Sequence, residues 1–168
     1  MTRNDPALAE WICLALVAEG PTHGWAVAAQ LAPDAEIGRI WSLSRPLTYR
    51  ALEQLQTDGA VEKAGEAPGA GRNRQVLVAT ERGRAAVEEW LDRPVSLPRD
   101  VRTEFLAKLE LRRRAGLPLA PLARRQQETF APMFATIDAT DDDFVVRWRR
   151  EHLVAIQRFL ASIVEGAT

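Results

Sequence analysis

The stretch from Ile40 to Gly59 constrains the fold most, because it predicts a short extended segment followed by one helix with a defined start and end. Ser44 is suited to cap the first turn with its hydroxyl, and Pro46 fits a position where no backbone donor is needed. Gly59 suits the left-handed residue that often follows a helix. We therefore predict a helix bounded at both ends within residues 44–59.

The two faces of this helix differ in chemistry. Four residues at helical spacing predict an apolar face: Leu47, Ala51, Leu52 and Leu55. Other residues fall roughly opposite or at its edge: Arg45, Pro46, Tyr49, Arg50, Glu53 and Gln56. A helix with one buried side and with arginines and a tyrosine near the start of its other side can place these side chains in a DNA major groove.

Two further helices are predicted before this segment. The first covers residues 5–19 and ends at Gly20-Pro21. The second begins at about Thr22 and ends before Pro33, because a proline disfavours helix in the residue that precedes it. Three short helices, the third of them capped, are typical of the helix-turn-helix plan. Tryptophans on amphipathic helices of this half are predicted to lie in the core: Trp11, Trp25 and Trp90.

After Gly59 the pattern changes to short alternating runs. Residues 60–64 and 75–79 predict two strands, and the glycine-rich, polar stretch between them predicts the long tip of a β-hairpin, or wing. Three residues at the end of this tip are expected to contact phosphates or a minor groove: Arg72, Asn73 and Arg74. Thr80 is suited to cap the helix that follows, over residues 81–91.

A linker bracketed by prolines at residues 93–98 suggests a boundary between a domain of residues 1–92 and a region of residues 93–168. Three helices are predicted after it, at about residues 99–115, 119–137 and 141–164, with Pro132 expected to bend or break the second. The last helix carries two apolar stripes. One stripe is enough for its own subunit, so the second predicts dimerisation through this helix.

Composition narrows the function classes. The 168 residues include one cysteine and two histidines, which exclude a disulfide framework and argue against a Cys/His zinc site. No catalytic motif or phosphate-binding glycine loop is present, so we predict neither an enzyme nor a cofactor. The chain shows no leader peptide and no apolar run of the ~20 residues that a bilayer requires, which predicts a cytoplasmic protein with no membrane partner.

Charge argues against a general nucleic-acid footprint. The formal net charge is −1; residues 1–92 hold 9 Lys+Arg against 13 Asp+Glu, a net of −4, and residues 93–168 hold 13 against 10, a net of +3. An alternative therefore stays open, in which the acidic N-terminal half is a winged-helix protein-interaction module that does not bind DNA. Local arginines around the capped helix and the hairpin favour DNA binding.

Three motifs together resemble the PadR-like winged-helix transcriptional regulators: Thr22-His23-Gly24-Trp25-Ala26-Val27, Trp41 to Leu52 with Asp58-Gly59, and Ala79-Thr80-Glu81-Arg82-Gly83-Arg84. The resemblance covers essentially the whole chain. It implies a mainly α fold (α+β), in which a winged helix-turn-helix domain is followed by a C-terminal helical dimerisation region. It also implies a repressor that small molecules or stress signals release.

These inferences predict a homodimeric, sequence-specific repressor of transcription that binds a pseudo-palindromic operator in double-stranded DNA and is relieved by a small-molecule effector, possible ligands being aromatic. The predicted DNA contacts are Ser44, Arg45, Pro46, Thr48, Tyr49, Arg50, Arg72, Asn73 and Arg74. The predicted dimer interface or effector pocket comprises Phe144, Trp148, His152, Ile156 and Phe159. No metal ligand is predicted.

Overall fold

The structure, a computed structural model, describes residues 6–67, 74–135 and 143–166. The chain divides into two compact units, Met1–Leu91 and Asp92–Thr168. In chain order the elements are α1 (Leu8–Ala18), α2 (Gly24–Gln30), α3 (Arg45–Thr57), β1 (Val61–Ala67), β2 (Arg74–Ala79), α4 (Glu81–Asp92), a 3₁₀ helix (Pro98–Arg102), α5 (Glu104–Arg114), α6 (Ala120–Phe134) and α7 (Phe144–Glu165). The predicted fold class, mainly α with a winged helix-turn-helix, is confirmed.

α1 is the central helix of the N-terminal unit. All residues from Glu10 to Val17 are buried, so this helix is enclosed on every side rather than on one face. It begins at Leu8, three residues later than predicted, and the carboxylate of Glu10 closes its first turn by accepting from the Ala7 amide at 3.0 Å. The Trp11 ring stacks on that of Trp90 at 5.5 Å, which confirms that both tryptophans lie in the core.

α3 has the predicted bounds but a shifted buried face. Gly59 follows it with φ of 68°, the left-handed conformation expected there. Leu47 is 50% exposed, whereas Thr48 is fully buried and lines one face with Ala51. The buried set is Thr48, Ala51, Leu52 and Leu55. These positions are spaced by three and four residues, whereas Leu47 lies about 100° away around the helix, so its predicted burial was wrong.

The start of α3 also differs from the prediction. Ser44 occupies the N-cap position with extended backbone, but its hydroxyl makes no capping hydrogen bond. Its carbonyl oxygen instead accepts from the Thr48 amide at 2.9 Å and from the Thr48 hydroxyl at 3.1 Å. The buried threonine therefore fixes the first turn from inside, and the Ser44 side chain stays exposed.

The hairpin is attached to the helix-turn-helix by backbone hydrogen bonds. β1 and β2 pair antiparallel, with Lys63 opposite Leu77 and an irregularity between Lys63 and Gly65. Leu77 also pairs with Thr22, each amide donating to the other residue's carbonyl oxygen at 3.0 and 2.7 Å. Because Thr22 directly precedes His23, the N-cap of α2, this bridge places the sheet beside the helix-turn-helix.

The first turn of α4 is held against the residues that directly precede β1. The Thr80 hydroxyl donates to the Gly59 carbonyl oxygen at 2.9 Å and accepts from the Gly83 amide at 3.0 Å, which confirms Thr80 as the cap of this helix. A Cβ on Gly83 would come within 2.1 Å of the Ala60 carbonyl oxygen. The glycine is therefore needed for close approach of the two backbones.

The C-terminal unit has its own apolar core, formed by the linker, the 3₁₀ helix, α5, α6 and α7. Its buried members are Val95, Val101, Phe105, Leu109, Leu122, Ala123, Phe130, Ile156 and Leu160. The helix predicted from residue 99 is split, because Thr103 leaves helical geometry with φ of −119° and ψ of −80°. Pro132 lies inside α6 only two residues before its end, and residues 136–142 lie outside the described part of the chain.

A buried glutamine holds the linker against α6. Gln126 is fully buried, and its amide pairs with both backbone groups of Val95: the side-chain oxygen accepts from the Val95 amide at 2.7 Å, and the side-chain nitrogen donates to the Val95 carbonyl oxygen at 2.9 Å. Unpaired buried backbone groups are costly. This pair therefore fixes the linker against α6 within the C-terminal unit.

Replacing Gln126 with alanine should destabilise the protein by about 2–3 kcal/mol, because it leaves two buried backbone groups without partners and creates a void. Urea denaturation followed by circular dichroism measures this loss. Gln127→Ala is the matched control on the same helix, at a position that is only half buried. Equal denaturation midpoints for the two variants would show that the Val95 pairing contributes no stability.

Candidate nucleic-acid interface

The N-terminal half of α3 presents a polar, basic face. Arg45, Pro46, Tyr49 and Arg50 are all exposed, and Ser44 lies exposed just before them. The opposite face of the helix is buried in the unit, so these side chains are held on a fixed support. Five of the six contacts predicted on this segment therefore share one accessible surface, which we call the α3 surface.

Thr48 is the exception and is removed from that set. Its side chain is fully buried, and its hydroxyl donates to the Ser44 carbonyl oxygen. A side chain in this position cannot reach a ligand at the surface. Thr48 positions the first turn of α3 instead.

The structure adds a residue that the sequence reasoning placed in the core. Trp25 is 48% exposed, at the first turn of α2. Its ring lies 6.2 Å from that of His23, whose Nδ1 caps α2 by accepting from the Ala26 amide at 3.1 Å. The signal in the sequence was the position of Trp25 directly after the cap and Gly24, before the apolar run of the helix begins.

Gly24 and Tyr49 bring α2 and α3 together at this surface. A Cβ on Gly24 would come within 2.6 Å of the Tyr49 ring, so the absence of a side chain allows the ring to lie against α2. A groove of about 530 Å³ runs from Trp25 and Tyr49 to Lys63 and Gln75 on the hairpin. Aromatic and basic groups from α2, α3 and the sheet therefore border one recess.

The structure describes only part of the predicted wing contacts. Arg72 and Asn73 lie outside the described residues. Arg74 is the first residue of β2, paired with Ala67, and only its backbone is described. The strands that carry the tip are in place beside α3, as the hairpin prediction required.

Three other findings concern the described residues. Burial raises the pKa of the Cys13 thiol to about 12, so this side chain is a neutral, inert group at physiological pH. The described ranges contain no group of three or more His, Cys, Asp or Glu side chains arranged to hold a metal ion. Within the same ranges, no helix has the length and apolar character needed to cross a bilayer.

The residues predicted for the dimer interface or effector pocket separate into two groups on α7. Phe144 and Trp148 are 73% and 69% exposed, and the Trp148 ring lies 6.0 Å from that of half-buried His152. Ile156 is buried in the core of its own unit, and Phe159 packs against that core. The five residues therefore do not line one pocket of the single chain, and Ile156 belongs to the core of its own unit.

The exposed group forms a patch at the start of α7. Val145, 38% exposed, joins Phe144 and Trp148 there, and we call these three residues the α7 patch. Asp143 caps the helix by accepting from the Val145 and Val146 amides at 2.8 and 3.2 Å. This cap fixes the residues of the patch on a regular first turn.

Known proteins share this architecture. Residues 13–89 match the profile described as the transcriptional regulator PadR-like family. The negative transcriptional regulator PadR of Bacillus subtilis (strain 168) is 23% identical over 99 residues, which are 59% of this chain and 53% of that protein. The match thus spans about half the length of this relative.

Solved structures are similar over nearly the whole chain. The crystal structure of Bacillus subtilis PadR in complex with operator DNA has a TM-score of 0.50 and 17% identity, and covers 94% of this chain and 99% of that one. That of Bacillus subtilis PadR in complex with p-coumaric acid has a TM-score of 0.46 and 16% identity, over 96% and 98%. The first likeness shows a common fold. Residues 13–89, which hold the helix-turn-helix and the hairpin, thus resemble the transcriptional regulator PadR-like family.

Proposed function

We propose that the protein is a homodimeric repressor of transcription, in which the two α3 helices enter successive major grooves of a pseudo-palindromic operator, with half-sites roughly 34–36 Å apart. One observation carries this proposal: the start of α3 exposes Arg45, Tyr49 and Arg50 while its other face is buried in the unit. The relative described as a negative regulator and the fold relative bound to operator DNA support it.

The α3 surface has the chemistry that DNA requires. Guanidinium groups make bidentate contacts with guanine edges and with phosphates, and a tyrosine hydroxyl donates to a phosphate oxygen. The Ser44 hydroxyl, which makes no capping bond, lies at the positive end of the helix dipole, where anions bind favourably. Arg72, Asn73 and Arg74 on the wing would add contacts to the flanking backbone or the minor groove.

In a dimer, a small contact surface on each subunit is sufficient for tight binding to the operator. Residues 1–92 carry a net charge of −4, so a broad basic field does not supply the affinity. Two copies of the α3 surface on one dimer convert the second binding event into an intramolecular one, which multiplies affinity without new contacts. We assign the α7 patch to this dimer, since three large apolar side chains on one exposed turn match the same turn of a second copy across a two-fold axis.

We further propose that a small-molecule effector relieves repression by binding the C-terminal unit, and that the protein acts in the cytoplasm. A ligand that binds the DNA-incompetent arrangement of the dimer more tightly shifts the population away from the operator complex. An aromatic body would suit the exposed rings of α7.

A second candidate is a winged-helix module that binds another protein rather than DNA, and the acidic balance of residues 1–92 favours it. Binding to random duplex DNA separates the two functions. A fluorescently labelled duplex should bind at 50 mM salt and should be released steeply as salt rises, because phosphate contacts release counterions. A duplex that stays free at low salt would remove the DNA-binding proposal in favour of the protein-interaction module.

A further inference from the structure

Glu53 is a carboxylate on the side of α3 that carries the proposed DNA contacts, and it was not among the contacts predicted from the sequence. It lies one turn after Tyr49, so the two side chains project from the same face, about 6 Å apart along the helix axis. Glu53 is exposed, and with Tyr49 it lines the groove of about 530 Å³ that α3 forms with the start of α2 and the hairpin. A ligand that contacts Tyr49 in this groove therefore also meets Glu53.

The Glu53 carboxylate is available to a hydrogen-bond donor outside the chain. The backbone carbonyl oxygen of Glu53 accepts from the Thr57 hydroxyl at 3.0 Å, but the carboxylate is paired with no side chain among the described residues. Two exposed cations lie in its neighbourhood, Arg50 one turn earlier on α3 and Lys63 on β1 in the same groove, and neither forms an ion pair with it. A contact with an external donor therefore breaks no bond within the protein.

A carboxylate at this position restricts which DNA can bind. Carboxylate oxygens only accept hydrogen bonds, and the edges of guanine and thymine in the major groove present acceptors but no donor. Either base opposite Glu53 would leave a desolvated carboxylate without a partner, which is costly. Adenine presents the N6 amino group beside the N7 acceptor, whereas cytosine presents the N4 amino group alone. Cytosine is therefore the base that best satisfies a carboxylate in this groove.

We infer that Glu53 is a specificity-determining residue, which accepts a hydrogen bond from N4 of a cytosine in each half-site and rejects guanine and thymine at that position. The inference rests on the proposed function, because it requires α3 to lie in a major groove. Arg45 and Arg50 attract every DNA sequence through its phosphates, so a repulsive element is needed to exclude wrong sequences. Glu53 supplies that element on the same helix.

Selection from a pool of random duplexes tests the assignment. The full-length protein and its Glu53→Gln variant pass through the same rounds, and the enriched duplexes are sequenced. The wild-type motif should require cytosine at one position of each half-site, and the variant should require adenine there, because an amide accepts from N6 and donates to N7. Two duplexes that differ only at this position should then show a preference of roughly tenfold for cytosine in the wild type, reversed in the variant.

Glu88→Gln is the matched control. It removes one negative charge from an exposed position on α4 of the same unit that does not line the groove, and it should select the wild-type motif. A wild-type motif that Glu53→Gln leaves unchanged, or a change that both variants share, would overturn the inference and leave the proposed function intact. A wild-type protein that enriches no sequence would instead refute the proposed function, and the inference with it.

Discussion

Replacing Arg45 and Arg50 together with alanine should lower operator affinity at least 100-fold. Both side chains are exposed on the α3 surface, and each bidentate contact with a base or phosphate contributes about 1–3 kcal/mol. The proposed dimer carries two copies of each arginine, so binding free energy is lost at both half-sites. Operator fragments selected from genomic DNA, titrated by fluorescence anisotropy at several salt concentrations, measure both the affinity and its salt dependence.

The slope of affinity against salt should also become shallower, since fewer phosphates are neutralised. Arg102→Ala with Arg124→Ala is the matched control, because both arginines are exposed and belong to the C-terminal unit. The protein should keep its fold, as neither Arg45 nor Arg50 is buried. If affinity and salt slope both stay at their wild-type values, α3 is not the helix that contacts DNA.

Replacing Trp148 with glutamate should convert the dimer to monomers, with the dimer dissociation constant raised about 100-fold or more. Trp148 is 69% exposed in the single chain, so the substitution does not disturb the core of its own unit. In the proposed dimer the same position is buried against a second copy, where an unpaired carboxylate is strongly unfavourable. Sedimentation velocity over a range of protein concentrations measures the change.

Gln157→Glu provides the control for charge, because it adds one negative charge at another exposed position on α7. This variant should sediment as the wild type does. Helix content by circular dichroism should be equal in all three proteins. A Trp148→Glu protein that sediments as a dimer would show that the α7 patch lies outside the subunit interface, and the dimer would have to be assigned to another surface.

Local chemistry was enough to predict most of the elements. The cap at Thr80 and the left-handed Gly59 each depend on one or two neighbouring residues, and both are as predicted. Boundaries were less exact where two signals competed. The first helix was predicted to begin at residue 5, yet α1 begins at Leu8, where the Glu10 side chain closes the first turn.

The sequence did not predict which side chains pack or pair with residues distant in the chain. Thr48 was predicted to be accessible and is buried, whereas Leu47 was predicted to be buried and is exposed. Which side of α3 is buried depends on how the helix packs against the rest of the unit. The pairing of Gln126 with Val95 joins residues 31 positions apart and has no local signature. Helical spacing places Gln126 four residues from both Leu122 and Phe130, but that spacing does not show that its side chain pairs with Val95.

By itself, the sequence determined the helix-turn-helix, the hairpin and the arginines near the start of α3, because periodicity, caps and turn residues act over a few positions. Only the tertiary structure decided which side chains remain accessible. It exposed Trp25 beside Tyr49, and it buried Thr48 and Ile156. Burial depends on contacts between segments distant in the chain, and a one-dimensional pattern does not contain those contacts.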